Sequence, residues 1–505
     1  MRNLVEETSQ FSKLRGIFFP IYAYELKKIV PLACILFFSL FNHYCLKNIK
    51  DSLVVTAVGA EAIAFIKLFL VPPAAILFML VYTKVSDRLK NEHLYYATLG
   101  SFVSFFVLFV LVLYPLKNYV CPSADSITRL QTQFPSCGLA FALIGVWPYA
   151  LFFIFAELWS TFILSLSFWQ FMNQITELQE AKRIYGVLLL LGQGAVTISG
   201  GVGFIASNIR EKVSCADPWQ ITLYWLIGSV TVTSILSMCI YHWIYRHVLT
   251  DKRFYNKPEL PGFHVKDKKK SSLWNSLKVV VRSHYVRLLI FLVFCYSVCD
   301  NILENFWKHA VKVIYPNIND YNSFMSAYTF IYGILSMGVV LITGYIFRRF
   351  QWGVGAMLTP MVVLVGGVCL FLSFLGEQFL SGSVGMVVGI QTTIVYVGLI
   401  TLVLDKGFKM SFFDMSKEMA FIPLDDELKV KGKAITDVFG YRFGKSFGSG
   451  LQVILLSLVS ALSGVKATYE SIAIYAFVVF LTCATVWVIS VFRLNRKIQR
   501  SRELS

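Results

Sequence analysis

Uncharged, mostly apolar runs near or above the length needed to cross hydrocarbon recur along the whole chain, for example Tyr95 to Tyr114, Leu139 to Ala156 and Ile472 to Val491. Within lipid, each run has to satisfy its own backbone donors and acceptors, which makes it a helix. Marking the runs gives twelve spans, at 30–47, 62–83, 95–115, 138–170, 184–206, 220–247, 286–309, 321–347, 353–375, 384–404, 436–462 and 469–492. Of the 505 residues 56% are hydrophobic and 15% charged, whereas a globular chain carries about 25% charged residues. The expected class is an all-α polytopic membrane protein with no soluble enzyme domain left over.

A net charge of +17 raises the question of nucleic acid. Such a partner needs basic residues clustered on an aqueous domain, and here they lie in short loops between spans, so no nucleic acid is expected. With both termini cytoplasmic, inner segments hold roughly 32 Lys and Arg and outer ones roughly 7, the positive-inside bias. The residues before the first span do not read as a cleavable signal, since Ile17 to Tyr24 is short, holds Pro20 and leads to Glu25, Lys27 and Lys28.

The polar segment 248–285, with Lys266, Lys268, Lys269 and Lys270, divides six spans from six. The expected organisation is a cytoplasmic segment 1–29, a six-helix bundle 30–247, a basic linker 248–285, a second bundle 286–492 and a basic tail 493–505. Halves of this kind rock about a central site. They also echo each other at an offset of about 250 residues. Lys47, Lys50 and Asp51 end the first span of one half; Asp300, Glu304 and Lys308 end that of the other. Gly192, Gly194, Gly200, Gly201 and Gly203 are matched by Gly440, Gly444, Gly448 and Gly450, a pattern that speaks for close helix crossing.

The ten cysteines show no metal spacing, and neither a metal nor a cofactor is expected. Cys121, Cys137 and Cys215 fall on outer loops, where one disulfide is an open alternative.

An ionised side chain in a span costs roughly 2.5 to 3.5 kcal/mol on insertion scales, so each one needs a partner, water or a task. Lys50, Glu157, Asp300, Glu304, Lys308, Arg442 and Lys445 are such residues, whereas Lys67 and Arg287 read as snorkelling to the headgroups. The run Gly440-Tyr-Arg-Phe-Gly-Lys-Ser invites comparison with a phosphate-binding P-loop, but Phe439 stands where its first glycine belongs and no strand precedes it. What survives is chemical: an arginine fork and lysine point charges are suited to a polyphosphate.

From about Phe19 to Leu494 the chain resembles the ATP/ADP translocases, or nucleotide transporters, of obligate intracellular bacteria and plastids. The likeness is carried by Glu25-Leu-Lys-Lys, Ile49-Lys-Asp-Ser-Leu-Val-Val-Thr, Ala156-Glu-Leu-Trp, Phe168-Trp-Gln-Phe, Glu180-Ala-Lys-Arg, Val248-Leu-Thr-Asp and Asn301-Ile-Leu-Glu with Trp307-Lys. Lys417-Glu-Met-Ala-Phe-Ile-Pro-Leu-Asp, Val430-Lys-Gly-Lys-Ala and Arg442-Phe-Gly-Lys-Ser complete it. The resemblance implies a major-facilitator-like fold and nucleotide transport, with the family's important charged positions matching Lys50, Glu157, Glu304 and Lys445. The chain departs from the family at Lys47-Asn, at Leu399 to Lys406, at Asp300 and at Phe447, all near the expected site.

The resulting expectation is a monomeric carrier of the bacterial inner membrane that imports ATP and other ribonucleotides. Lys50, Lys445, Arg442, Lys47 and Lys308 would hold phosphates, and Glu157, Glu304, Asp300 and Asp405 would compensate charge or bind a coupling proton. Strict ATP/ADP exchange, carriage of another anion such as a sugar phosphate, and a non-transporting receptor or scaffold stay open as alternatives.

Overall fold

The structure is a computed structural model that describes residues 22–134, 137–176, 178–209, 217–251, 254, 283–350, 352–380, 384–421, 424, 432–433, 435–465 and 467–503. Residues 1–21, most of the basic linker and Cys215 lie outside the described residues, as do parts of the motifs that begin at Lys417 and Val430. Among the described residues twelve helices are long and apolar enough to span a bilayer. In chain order they are α1 Leu26–Ala57, α2 Glu61–Ser86, α3 Asn91–Leu113, α4 Trp147–Ile175, α5 Leu190–Asn208 and α6 Pro218–His247, then α7 His284–Ile314, α8 Ile318–Phe347, α9 Trp352–Glu377, α10 Val388–Ala420, α11 Gly440–Ser463 and α12 Tyr469–Gln499.

Most helices run past the ends that hydropathy predicts, α1, α7 and α10 among them. The first expected span stops at 47 and the tenth at 404, yet α1 continues through Lys50 and Asp51, and α10 through Asp405 and Lys406. Charge breaks a hydropathy run, but a charge that meets its opposite across a helix interface does not break the helix. The seventh span likewise continues beyond 309 to Ile314. The fourth divides instead: a short helix Gly138–Gly145 precedes α4, which starts at Trp147-Pro148 with the proline in its first turn.

Several spans contain wide π-helical turns, at Ile66–Leu70, Ser160–Trp169, Lys409–Phe413 and Thr436–Phe443. Such turns favour functional positions because they leave the regular hydrogen-bond ladder. These four lie beside charged residues of the candidate site, whereas another, Phe109–Leu113 in α3, does not.

The halves meet at an α5–α8 crossing where a Cβ on Gly200 would collide with backbone of Phe330, and one on Gly333 would lie 2.8 Å from the backbone nitrogen of Thr197. Small residues let the two backbones touch. Around the crossing, Asn322 Nδ2 donates to Ser207 Oγ (2.8 Å), Ser52 Oγ to Asn322 Oδ1 (3.0 Å) and Thr222 Oγ1 to Asn319 Oδ1 (2.7 Å). These contacts gather toward the side remote from the chain termini, here called the far side. On the termini side Val71–Ser86 buries none of its residues. Gly59, at φ +135°, makes the tight far-side turn between α1 and α2.

Candidate functional site

On α7 the spacing of Asp300, Glu304 and Lys308 stacks all three along one helix face, and on α1 Lys47, Lys50 and Asp51 project toward it. α4 adds Glu157 and α10 adds Asp405 and Lys406. Together they form one continuous ion-pair network. Lys50 Nζ lies 2.6 Å from Glu157 Oε2 and 3.6 Å from Asp51 Oδ1. Asp51 Oδ2 lies 2.8 Å from Lys308 Nζ, which is also 2.7 Å from Glu304 Oε1. Lys47 reaches Glu304 Oε1 at 3.5 Å. Lys406 pairs with Asp300, lies 3.5 Å from Glu304 Oε2 and 3.9 Å from Asp405 Oδ2.

Two links of the network join the halves, Lys308 to Asp51 and Lys47 to Glu304. The side chains of Lys308 and Asp51 are each 1% exposed, so breaking that link without a substitute strands buried charge, at a cost of about 3–5 kcal/mol. Glu157 is 33% exposed while its partner Lys50 is 4% exposed. Glu157 is the most exposed member of the network. Lys50 Nζ also stands 3.8 Å from the centre of the Phe153 ring, a cation–π contact that fixes the ammonium from behind.

Lys445 projects from α11 with an exposed side chain and makes no ion pair or hydrogen bond among the described residues. It is nevertheless close enough to Asp300, Glu157 and Glu304 to feel their charge. The glycines beside it explain its position. Gly440, Gly444 and Gly448 pack on α7, where a Cβ would meet Val293, Ser297 and Asn301 at 2.6, 2.9 and 3.2 Å. With that face against α7, Lys445 is turned toward the space between the halves.

The structure sets Arg442 apart from the network and corrects the reading of Lys67. Arg442 is exposed, lies nearer the termini side than Lys445, and joins none of these carboxylates among the described residues; its place in the wide turn Thr436–Phe443 takes it off the face that Lys445 uses. Lys67 does not snorkel away: it projects from the wide turn of α2 into the field of Glu157 and Glu304. Of the two lysines that the sequence offers as partners for Asp300 and Asp405, Lys406 is the one beside both, while Lys308 takes Asp51 and Glu304. Cys121 and Cys137 are free thiols.

Ammonium groups from both halves thus converge with carboxylates in one network. Each ammonium can exchange a carboxylate oxygen for an oxygen of a bound anion. Fold and site together define a membrane transporter of the major-facilitator architecture, and the same fold appears in solved structures. A bacterial homologue of the iron transporter ferroportin in an inward-facing state superposes with a TM-score of 0.59 at 12% identity, over 93% of this chain and all of that one. A D-xylose-proton symporter gives 0.50 at 10% identity, over 94% and 97% of the two chains.

The chain belongs to the TLC ATP/ADP transporter family, whose sequence profile matches residues 4–498. ADP,ATP carrier protein 1 of Chlamydia muridarum is 41% identical over 495 residues, covering 96% of this chain and 91% of its own. ADP,ATP carrier protein 3 of Rickettsia felis is 35% identical over 496 residues, covering 96% and 97%. The protein is therefore a transporter and not an enzyme.

Proposed function

We propose that this chain carries nucleotides, ATP and other ribonucleotides among them, across the bacterial inner membrane into the cytoplasm by alternating access, with both termini cytoplasmic. The observation that carries the reading is the set of lysines from both halves, with Lys445 and Lys67 left outside the ion pairs. Lys50 and Lys445 hold the phosphates from opposite halves, and Lys47 and Lys308 support them. Glu157 and Glu304 neutralise these cations in the empty carrier and are displaced when phosphate arrives. A ligand drives reorientation only through its different affinity for the two facing states.

The cross-half pairs favour exchange. An empty carrier has to break Lys308–Asp51 and Lys47–Glu304 to reorient, whereas a bound polyphosphate offers both lysines a replacement anion. A second reading, proton-coupled net uptake, is favoured by Asp405, whose two buried oxygens accept no hydrogen bond among the described residues and whose neighbouring cation, Lys406, is already shared with Asp300 and Glu304. In that mode Asp405 carries the proton. The relatives named ADP,ATP carriers fit the first reading, and the sequence departures around Lys406 fit the second.

Proteoliposomes separate the modes. An exchanger takes up labelled ATP only against internal nucleotide and ignores a pH gradient. A symporter accumulates ATP without internal nucleotide and loses that ability with a protonophore. Failure of labelled ATP to enter under either condition, with sugar phosphates entering instead, would overturn the nucleotide assignment.

A further inference from the structure

One residue beyond Lys308 on α7, a second polar cluster closes the far side, and the phosphate-binding cycle makes no use of it. His309 is buried, with Nδ1 3.0 Å from Oε1 of Glu61 at the start of α2. Its Nε2 lies 3.4 Å from Oε1 of Glu470 at the start of α12. The Tyr469 ring packs edge-on at 5.6 Å. Lys312, one turn along α7, reaches the same place, since a Cβ on Gly59 would lie 3.9 Å from its Nζ and against Glu61. Glu377, near the end of α9, accepts from Gln391 Nε2 at 2.5 Å and adds negative charge within reach of His309 and Glu470.

A neutral imidazole has one N–H and one lone pair, so it can satisfy a carboxylate on one side only. A carboxylate oxygen stands within ion-pair distance of each ring nitrogen, so the charged imidazolium is attracted to both sides. Glu61 belongs to the first half; His309 and Glu470 belong to the second. The proton that completes the ring therefore also ties the halves together.

We propose that His309 is a proton-binding latch: the protonated ring bridges Glu61 to Glu470 and holds the far side shut, and loss of the proton frees the far side to open. The sign follows from linkage. Opening moves Glu61 away and leaves the imidazolium with one acceptor in place of two, so the closed state binds the proton more tightly. Rising pH shifts the population toward the far-side-open state, and falling pH toward the closed one. Lys312 keeps part of the attraction to Glu61 after the ring loses its proton, so the latch weakens without vanishing. The inference does not depend on the cargo.

The test is a distance measurement on the full-length protein in lipid nanodiscs without nucleotide, with its reactive thiols replaced by serine. Spin labels at Tyr119 and Leu462, both strongly exposed far-side positions and one on each half, report the far-side gap by electron–electron double resonance. In the otherwise native chain the long-distance population is expected to rise several-fold between about pH 6 and about pH 10. His309→Gln removes that response, and Glu61→Gln, which keeps the ring, flattens it. A gap in the otherwise native chain that ignores pH overturns the latch, as does an unchanged pH response in either variant. Because no transport is read, failure here is distinguishable from failure of the nucleotide assignment.

Discussion

The two halves carry the same device with the signs exchanged. In the first, an α1 lysine, Lys50, pairs with an α4 carboxylate, Glu157; in the second, an α7 carboxylate, Asp300, pairs with an α10 lysine, Lys406. Lys50 with Asp300, and Glu157 with Lys406, are separated by the repeat offset of about 250 residues. A tryptophan locks the same helix pair in each half, Trp159 Nε1 donating to Ser39 O at 3.1 Å and Trp307 Nε1 to Val395 O at 2.9 Å. The lesson is that repeat symmetry preserved where charge stands while its sign diverged. α1 and α7 bind each other across the interface through neighbouring residues, Lys47 to Glu304 and Asp51 to Lys308.

Swapping the partners within each half breaks or sharpens this comparison most strongly. Lys50→Glu alone should lower ATP uptake by about two orders of magnitude and destabilise the fold by about 3–5 kcal/mol, because it strands buried carboxylates. Adding Glu157→Lys should restore thermal stability but not uptake, since the phosphate-binding ammonium has moved to α4. The corresponding double swap at Asp300 and Lys406 should restore stability and most of the uptake. Equal behaviour of the two doubles, in thermal unfolding and proteoliposome uptake, would erase the proposed division between a substrate-binding pair and a structural one.

Lys445→Ala comes next. Loss of one charge-assisted contact, about 1.5–3 kcal/mol, should cut uptake of every nucleotide roughly 10- to 100-fold. Its unfolding temperature should stay unchanged, since the lysine has no ion-pair or hydrogen-bond partner to strand among the described residues. Unaltered uptake would remove Lys445 from the site.

The glycines give a smaller contrast. Gly200→Ala should destabilise by about 1–3 kcal/mol because the added carbon meets α8 backbone. Its repeat counterpart Gly450, where a Cβ would touch only the Leu68 side chain at 3.6 Å, should accept alanine with no measurable change in unfolding temperature.

The smallest effect lies outside the spans. Burial pushes the Asp217 carboxyl up, but hydrogen bonds from Lys117 (2.7 Å) and Tyr114 (2.9 Å) outweigh it and hold the group below its usual value. A depressed carboxyl contributes stability above its unfolded value and loses it as pH falls through the folded one. Asp217→Asn should therefore cost under about 1 kcal/mol above about pH 4, with the difference from wild type fading below it.

Twelve spans were legible, and the charged residues in and beside them stood out, because lipid makes both length and charge expensive. Pairing was not. Which carboxylate meets which ammonium depends on helix rotation, and apolar residues fix that rotation without leaving a sequence mark. Hydropathy also ended the tenth span just before Asp405 and Lys406, and so treated two interior charges as a loop. His309 escaped notice because a lone histidine in an apolar run gives no sign that Glu61 and Glu470 stand on either side of it.

The wide turn that begins three residues after Glu157 has its repeat counterpart three residues after Lys406. A surplus residue in a turn is a slip point, as in a clutch. If the surplus passes along the helix by one position, the side chain before it swings through about 100° while the helix ends stay anchored. Each half would then be able to disengage its own ion pair by local rotation, before any large movement of one bundle against the other.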